Sequence, residues 1–170
     1  MTADLLIAAM SLVALAVFVG IVVGECRGGE ARDMLQAMNT GHDGSLTTVH
    51  ANTPSDTVAR LETLCLMAGM DMPLSAIRAQ IASAVSIIVQ TARLSDGSRK
   101  TIEIAEVCGL DEKGNAKLRT IFEFKREGVD PKTRKVLGHH VVVAKPTFFE
   151  DFALRGVPLD ESVFKGVSET

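Results

Sequence analysis

The sequence contains no tryptophan and no tyrosine, so seven phenylalanines carry all of its aromatic character. That removes most of the ring platforms on which single-stranded nucleic acid stacks. It also lacks a large excess of either charge. Eighteen lysines and arginines against twenty-one acids leave −3 over 170 residues, which argues against a dedicated nucleic-acid binder. Cysteine is scarce: Cys26, Cys65 and Cys108 lie far apart and are odd in number. A complete disulfide framework and a Cys-x-x-Cys zinc site are thereby excluded, and a reducing compartment is favoured. Five prolines against fourteen glycines suit an α/β chain with many tight turns. Internal repeats and low-complexity segments are lacking. With 46% apolar and 23% charged residues, wholesale disorder is excluded, and the length suits one domain or a large fragment of one.

What is present is unevenly distributed. Residues 5–23 form an uncharged run, LLIAAMSLVALAVFVGIVV, in which only Ser11 and Gly20 are not strongly apolar. A membrane span needs about 20 such residues, so the run sits at that threshold. It makes a poor signal peptide, because Asp4 precedes it without any Lys or Arg and no A-x-A-like site follows. The other reading is a buried helix followed by a buried strand. Composition favours a break near Phe18: Leu and Ala dominate before it, whereas Val19, Ile21, Val22 and Val23 are β-branched. A helix over residues 4–18 would be about 22 Å long at 1.5 Å per residue, short of the roughly 30 Å hydrocarbon core.

The remainder is polar and periodic. Residues 30–40 read as a helix that presents Ala31, Met34, Leu35 and Met38 on one face and stops at Gly41. A short strand fits residues 45–49. Thr53-Pro54-Ser55-Asp56 starts a second helix, ended by Gly69, and Pro73 starts a third. Residues 86–94 read as a buried strand, followed by the turn Ser95-Asp96-Gly97-Ser98. Residues 101–107 and 118–124, joined through Lys113-Gly114-Asn115, read as an antiparallel hairpin in which Ile102 and Ile104 alternate with Glu103 and Ala105. Residues 125–140 hold five lysines and arginines and two histidines. They suit a solvated loop or, as the sharper reading, a basic contact surface for a partner or acidic lipid. A short strand at 141–143 and a helix opened by Pro146, rich in phenylalanine, complete the chain.

Two stretches could carry chemistry. In the first, Ile21-Val22-Val23-Gly24-Glu25-Cys26-Arg27-Gly28-Gly29-Glu30, an apolar strand runs into an acid. Open α/β folds bind their ligands at the carboxyl ends of parallel strands, where a Glu can hold a water for attack on a phosphoryl group. A solvated turn is the plainer reading of the same residues. In the second stretch, residues 40–52, His42 and His50 bracket a hydroxyl-rich strand. Their spacing matches no common zinc site, and no Gly-x-Ser-x-Gly elbow surrounds a serine. A histidine at a strand end can, however, donate a hydrogen bond to a terminal phosphate and lose it on hydrolysis.

Together the segments IVVGECRGGEARDMLQAMNTGHDGSLTTVHAN, RLETLCLMAGMDMPLSAIRAQIASAVSIIVQTARLSDGSRK and IFEF resemble the C-terminal half of the motor domain of type II/type IV secretion ATPases. Within that superfamily they resemble the CpaF/TadA branch, which drives Tad (Flp) pilus assembly. The tail KPTFFEDFALRGVPLDESVF resembles that branch more loosely. The resemblance implies an α/β fold, part of a RecA-like P-loop NTPase domain, with a C-terminal β-hairpin and short helices. It implies that residues 19–23 are the Walker B strand and that Glu25 is catalytic. It places residues 42–50 in the family's His box, with His50 sensing the γ-phosphate and Arg27 and His42 supporting the site. ATP and Mg²⁺ as cofactors, a homohexameric ring, inner-membrane pilus or secretion platform proteins as partners, and a place in the bacterial cytoplasm at the inner membrane are implied likewise. Cys26 stands where the family has an aliphatic residue.

No Gly-Lys dipeptide occurs in the sequence, so the Gly-x-x-x-x-Gly-Lys-[Ser/Thr] phosphate loop is not among its residues. Residues 1–18 do not resemble the ATPase and look like the start of a membrane protein. The expected organisation is therefore an apolar N-terminal helix over 1–18, the C-terminal part of the ATPase domain over 19–124, and a basic loop with a helical tail over 125–170. A truncated or fused reading frame of a pilus-assembly or secretion ATPase, inactive alone, is the economical explanation. The alternative is a non-catalytic interaction protein anchored in a membrane through residues 5–23. The sheet is expected to be parallel and incomplete, with buried strands at 19–23, 45–49 and 86–94 and an exposed apolar edge.

Overall fold

The computed structural model describes residues 21–41, 44–69, 72–158 and 160–164. The expected helix over 1–18, the first two residues of the strand expected at 19–23, and His42 lie outside them. The described residues fall into two compact units. One takes the chain to Ala51 together with Asp56–Val85 and Leu110–Ala116; the other takes Asn52–Ser55, Ser86–Gly109 and the chain from Lys117.

The first unit opens with strand β1, Val22–Val23, then helix α1, Glu30–Asn39, strand β2, Leu46–Thr47, helix α2, Pro54–Met67, and helix α3, Leu74–Ala84. β1 and β2 pair in parallel, Val22 opposite Leu46 and Val23 opposite Thr47. The ladder is prolonged by Leu46 N–H to the Ile21 carbonyl and Cys26 N–H to the Thr48 carbonyl, both 2.9 Å. α1 packs against α3. The apolar face read from the sequence for α1 is buried through Ala31, Met34 and Leu35, together with Leu61, Leu64 and Cys65 from α2 and Ile77 and Ile81 from α3. Arg78 grips Glu62 through Nε at 3.0 Å and Nη2 at 3.4 Å, and Asn39 Nδ2 donates to the Gln80 carbonyl. After α2 the chain turns at Gly69, whose φ of +71° is a conformation that side-chain-bearing residues resist.

The second unit is a four-stranded sheet in the order β3-β4-β5-β6, with β3 Ile87–Arg93, β4 Arg99–Leu110, β5 Ala116–Val129 and β6 Val136–Val142. A six-residue helix, α4 Phe149–Leu154, and a 3-10 turn, Glu161–Phe164, follow. Phe164 meets Phe122 and Phe149 at ring-centroid distances of 5.8 and 5.3 Å. Ile88, Ala105, Ile121, Phe124 and Phe149 are buried, as is the carboxylate of Glu106. Glu106 accepts hydrogen bonds from the Thr147 N–H and hydroxyl, which satisfy it where water is excluded.

Several expectations need correction. The strand over residues 86–94 does not join a parallel sheet: β3 runs antiparallel to β4, Ile88 opposite Ala105. The turn 95–98 that joins them is too short for the crossover a parallel pair requires. The parallel pairing is confined to β1 and β2, and these are not fully buried, since Val22 is 49% and Leu46 48% exposed. Two paired strands alone have no second layer on both faces. In β4 the expected inward alternation of Ile102 and Ile104 is broken. Gln90 faces Glu103 and Thr91 faces Thr101, leaving Ile102 as an extra residue, and Ala105 is the position that becomes fully buried. Residues 125–140 are not a loop. β5 continues to Val129, β6 begins at Val136, and Asp130 closes the turn by accepting from the Lys132 and Thr133 N–H groups. Gly138 is the close approach in that hairpin: a Cβ there would collide with the Lys125 carbonyl oxygen and lie 2.7 Å from Phe124 Cζ.

Candidate active site

Parallel pairing explains why residues twenty-five apart in sequence meet. Glu25 follows β1 by two residues and His50 follows β2 by three, so both emerge at the carboxyl end of the same strand pair. Glu25 Oε2 accepts a hydrogen bond from Arg27 Nη2 at 2.6 Å. His50 Nε2 lies 3.0 Å from Glu25 Oε1, an ion pair when the imidazole is protonated. The approach is off the line of a hydrogen bond, and Oε1, shielded from solvent, has no hydrogen-bond donor. The Glu25 side chain is 23% exposed, whereas those of Arg27 and His50 are 76% and 88% exposed. The hydrogen bond from Arg27 holds the Glu25 carboxyl below the usual carboxylate range, with the charges of Arg27 and His50 acting in the same direction. Glu25 is therefore an ionised carboxylate with one oxygen committed to Arg27 and the other available to a further donor.

The loop carrying Glu25 is held from both sides. Thr48 Oγ1 donates to the Gly24 carbonyl at 2.7 Å, and Ile21 N–H donates to Ser45 Oγ at 3.1 Å. Cys26 points the other way into the core, 3.6 Å from Met34 Sδ, and accepts from Thr47 Oγ1 at 3.4 Å. Burial raises its thiol above the ordinary value, so it is a packing residue and not a ready nucleophile. Glu30, the first residue of α1, folds back to accept the N–H groups of Arg27 and Gly28 at 2.5 and 3.0 Å. Those backbone hydrogen bonds, Arg27's first, lower the Glu30 pKa. Alternating outward Glu25 and Arg27 with inward Cys26 is the local consequence of an extended segment leaving a strand.

Of the residues singled out from the sequence, Glu25, Arg27 and His50 converge, and His42 lies outside the described residues. Sequence reading missed Thr47, Thr48 and Glu30 as the groups that hold the loop. Their signal was present in the hydroxyl pair preceding His50 and in the acid placed at the first turn of α1. Among the described residues no three His, Cys, Asp or Glu side chains gather to hold a metal ion by themselves.

This segment and its surroundings match the model of the family described as Type II/IV secretion system protein over residues 20–136, well over half of the chain. The chain belongs to that family. Among its relatives, the Mycobacterium tuberculosis protein Rv3659c is 47% identical over 85 residues, covering 50% of this chain and 24% of the relative. The conjugal transfer protein TrbB of Rhizobium radiobacter is 40% identical over 79 residues, 46% of this chain and 23% of TrbB. Among solved structures, the VirB11 ATPase from the Brucella suis type IV secretion system superposes with a TM-score of 0.49 at 32% identity, covering 52% of this chain and 27% of that one. The chain thus spans about a quarter of the length of the curated relatives it matches. The matched region of this secretion-family chain contains Glu25, Arg27, His42 and His50, together with strands β1 to β5. No helix among the described residues is long and apolar enough to cross a membrane.

Proposed function

We propose that this chain contributes the Walker B acid and the histidine segment to the motor of a type II/IV secretion ATPase, in a RecA-like domain of the CpaF/TadA branch that serves Flp pilus assembly. The observation that carries the reading is Glu25: an ionised carboxylate at the carboxyl end of a parallel strand pair, one oxygen bound by Arg27 and the other without a donor. That oxygen suits an acceptor for a water proton, and the acid is fixed at the strand end before any ligand arrives.

The fit to ATP and Mg²⁺ is partial. Glu25, Arg27 and His50 suit the terminal phosphate end of such a ligand, whereas a phosphate-cradling Gly-Lys loop is not among the 170 residues. Bound Mg²⁺ would supply neutralisation of charge on the transferring phosphoryl group. Glu25 would orient and polarise water through its free oxygen, while Arg27 keeps the carboxyl ionised and fixes its rotamer. His50, largely exposed and not committed to a hydrogen bond with Glu25, can turn its Nε2 from the carboxylate to a phosphate oxygen. The same reading gives His42 a supporting role and assigns the ring, platform partners and inner-membrane location to the assembled protein.

The test is a chimera in which residues 20–136, the family-matched region, replace the corresponding family region of TrbB. The chimera is expected to hydrolyse ATP. Glu25→Gln should lower kcat at least a hundredfold with little change in KM, and His50→Ala should lower kcat by a smaller factor. Unchanged turnover in Glu25→Gln sinks the assignment. In the isolated chain, calorimetry is expected to show no micromolar affinity for ATP, because the groups that cradle the phosphates are not present.

A further inference from the structure

Eight of the eighteen lysines and arginines, none of them used by the proposed motor site, gather at one end of the four-stranded sheet. The turn between β3 and β4 and the turn between β5 and β6 lie side by side, because Asp96 Oδ2 accepts the Val136 N–H at 2.9 Å. Residues 93–100 bring Arg93, Arg99 and Lys100 to this end; residues 125–135 bring Lys125, Arg126, Lys132, Arg134 and Lys135. Eight cations thus meet three acids in a chain whose overall charge is −3.

The three acids are occupied locally. Asp96 accepts from Ser98 and Val136, Asp130 accepts from Lys132 N–H and Thr133 N–H, and Glu127 lies 2.9 Å from His139 Nδ1. Among the described residues none of the eight cations is ion-paired, and Lys100 alone rests on a ring, that of Phe124. Residues 131–135 are exposed without interruption. Beside them, Val129 is 50% and Leu137 47% exposed, two apolar side chains at the base of a charged turn.

We propose that this end of the sheet is a docking surface for an anionic lipid bilayer. Lysine and arginine are drawn to the negative surface potential of acidic lipids, and each is worth roughly a fivefold gain in partition. Val129 and Leu137 give the same surface a modest apolar contact at the headgroup boundary, which a purely electrostatic surface lacks. Single-stranded nucleic acid is the poorer match: no tryptophan or tyrosine exists in the chain, and the nearby Phe124 is buried with its ring engaged by His140 and Lys100. The surface stands on residues of the second unit alone and does not draw on Glu25.

The purified full chain is sedimented with phosphatidylcholine vesicles with and without about a third of phosphatidylglycerol. Because residues 5–23 could insert without regard to charge, the readout is the difference between anionic and neutral vesicles. The native chain is expected to bind the anionic vesicles at least tenfold better, and to lose that preference in about 0.5 M salt. Two double variants, Lys132→Glu/Lys135→Glu and Arg93→Glu/Arg99→Glu, should each remove most of the preference while keeping the native circular dichroism. If either variant loses its fold, the salt dependence of the native chain decides in its place. Equal binding to both vesicle types overturns the proposal, as does a preference that survives in both folded variants. Charge-sensitive binding of a single-stranded oligonucleotide with no vesicle preference would overturn it in favour of nucleic acid.

Discussion

The two units reach order by opposite routes. In the second, neighbouring strands run antiparallel, and two of their short turns carry their own chemistry: Asp96 with Ser98, and Asp130 with Lys132 and Thr133. Register there is local. In the first, β1 and β2 each contribute two residues to a parallel pair, and α1 lies between them in sequence. So short a ladder cannot hold itself, and it is braced by Cys26 against Met34 of α1 and by the hydroxyls of Thr47 and Thr48. The candidate site lies in the unit whose order is borrowed. A carboxylate brought to a histidine by a crossover is fixed only when the crossover helix is packed, so the chemistry is tied to the helical core.

The largest expected blow to that arrangement is Leu35→Ala. Leu35 is fully buried in α1, and its loss should cost about 2–5 kcal/mol in urea unfolding. Amide protection should fall in α1 and α3 more than in β3–β6; an even loss across both units would break the contrast drawn above. The counterpart in the second unit is Gly138→Ala, where the new methyl must displace the Lys125 carbonyl or the Phe124 ring. About 1–3 kcal/mol of overpacking is expected, with protection lost in the β5–β6 hairpin and retained in α1. Thr147→Val should cost about 1–3 kcal/mol by taking a hydroxyl from the buried Glu106 carboxylate. A smaller penalty, measured by the same unfolding curves, would mean that water reaches Glu106.

The smallest effect concerns pH. Hydrogen bonds from Ser98 first and then Val136 hold the Asp96 carboxyl at about 2, below its ordinary 3.8. A depressed carboxylate stabilises the fold above its unfolded pKa, and that contribution is lost as pH falls through the folded value. Stability should therefore decline between about pH 4 and pH 2, and Asp96→Asn should flatten that part of the profile. Urea midpoints at pH 5, 3 and 2 would show it; an unaltered slope in the variant would remove Asp96 from the account. Glu25, Glu30, Asp111 and Asp130 are depressed in the same direction, so the native decline is shared among them.

The helices were legible because their signals are local: the apolar periodicity of α1, Pro54 and Pro73 near the starts of α2 and α3, Gly69 after α2. The turn at 95–98 was legible too, and it carries more than a chain reversal. A four-residue turn between two strands already demands an antiparallel pair, and the strand at 86–94 was expected in a parallel sheet. The hairpin over 125–140 was hidden by charge, since lysines and arginines on an exposed strand pair look like a solvated loop. Ile102 was misassigned to a regular face because a bulge shifts the alternation, and nothing in the residues themselves marks where the extra residue falls.

By itself the sequence determined the family, through a long run of matching residues, and it determined which helical faces are apolar and which residues carry an ionisable or phosphate-seeking group. Those are properties of residues and of spacings within a few turns of chain. Only the tertiary structure decided that Glu25 and His50 stand at one end of one strand pair, that Arg27 takes one carboxylate oxygen and leaves the other without a donor, and that two basic turns lie side by side through Asp96. The first and the last depend on contacts between residues twenty-five and forty apart in the chain, and the second, though Arg27 and Glu25 are two apart, on the strand end that aims both side chains outward; packing selects these and local propensity does not.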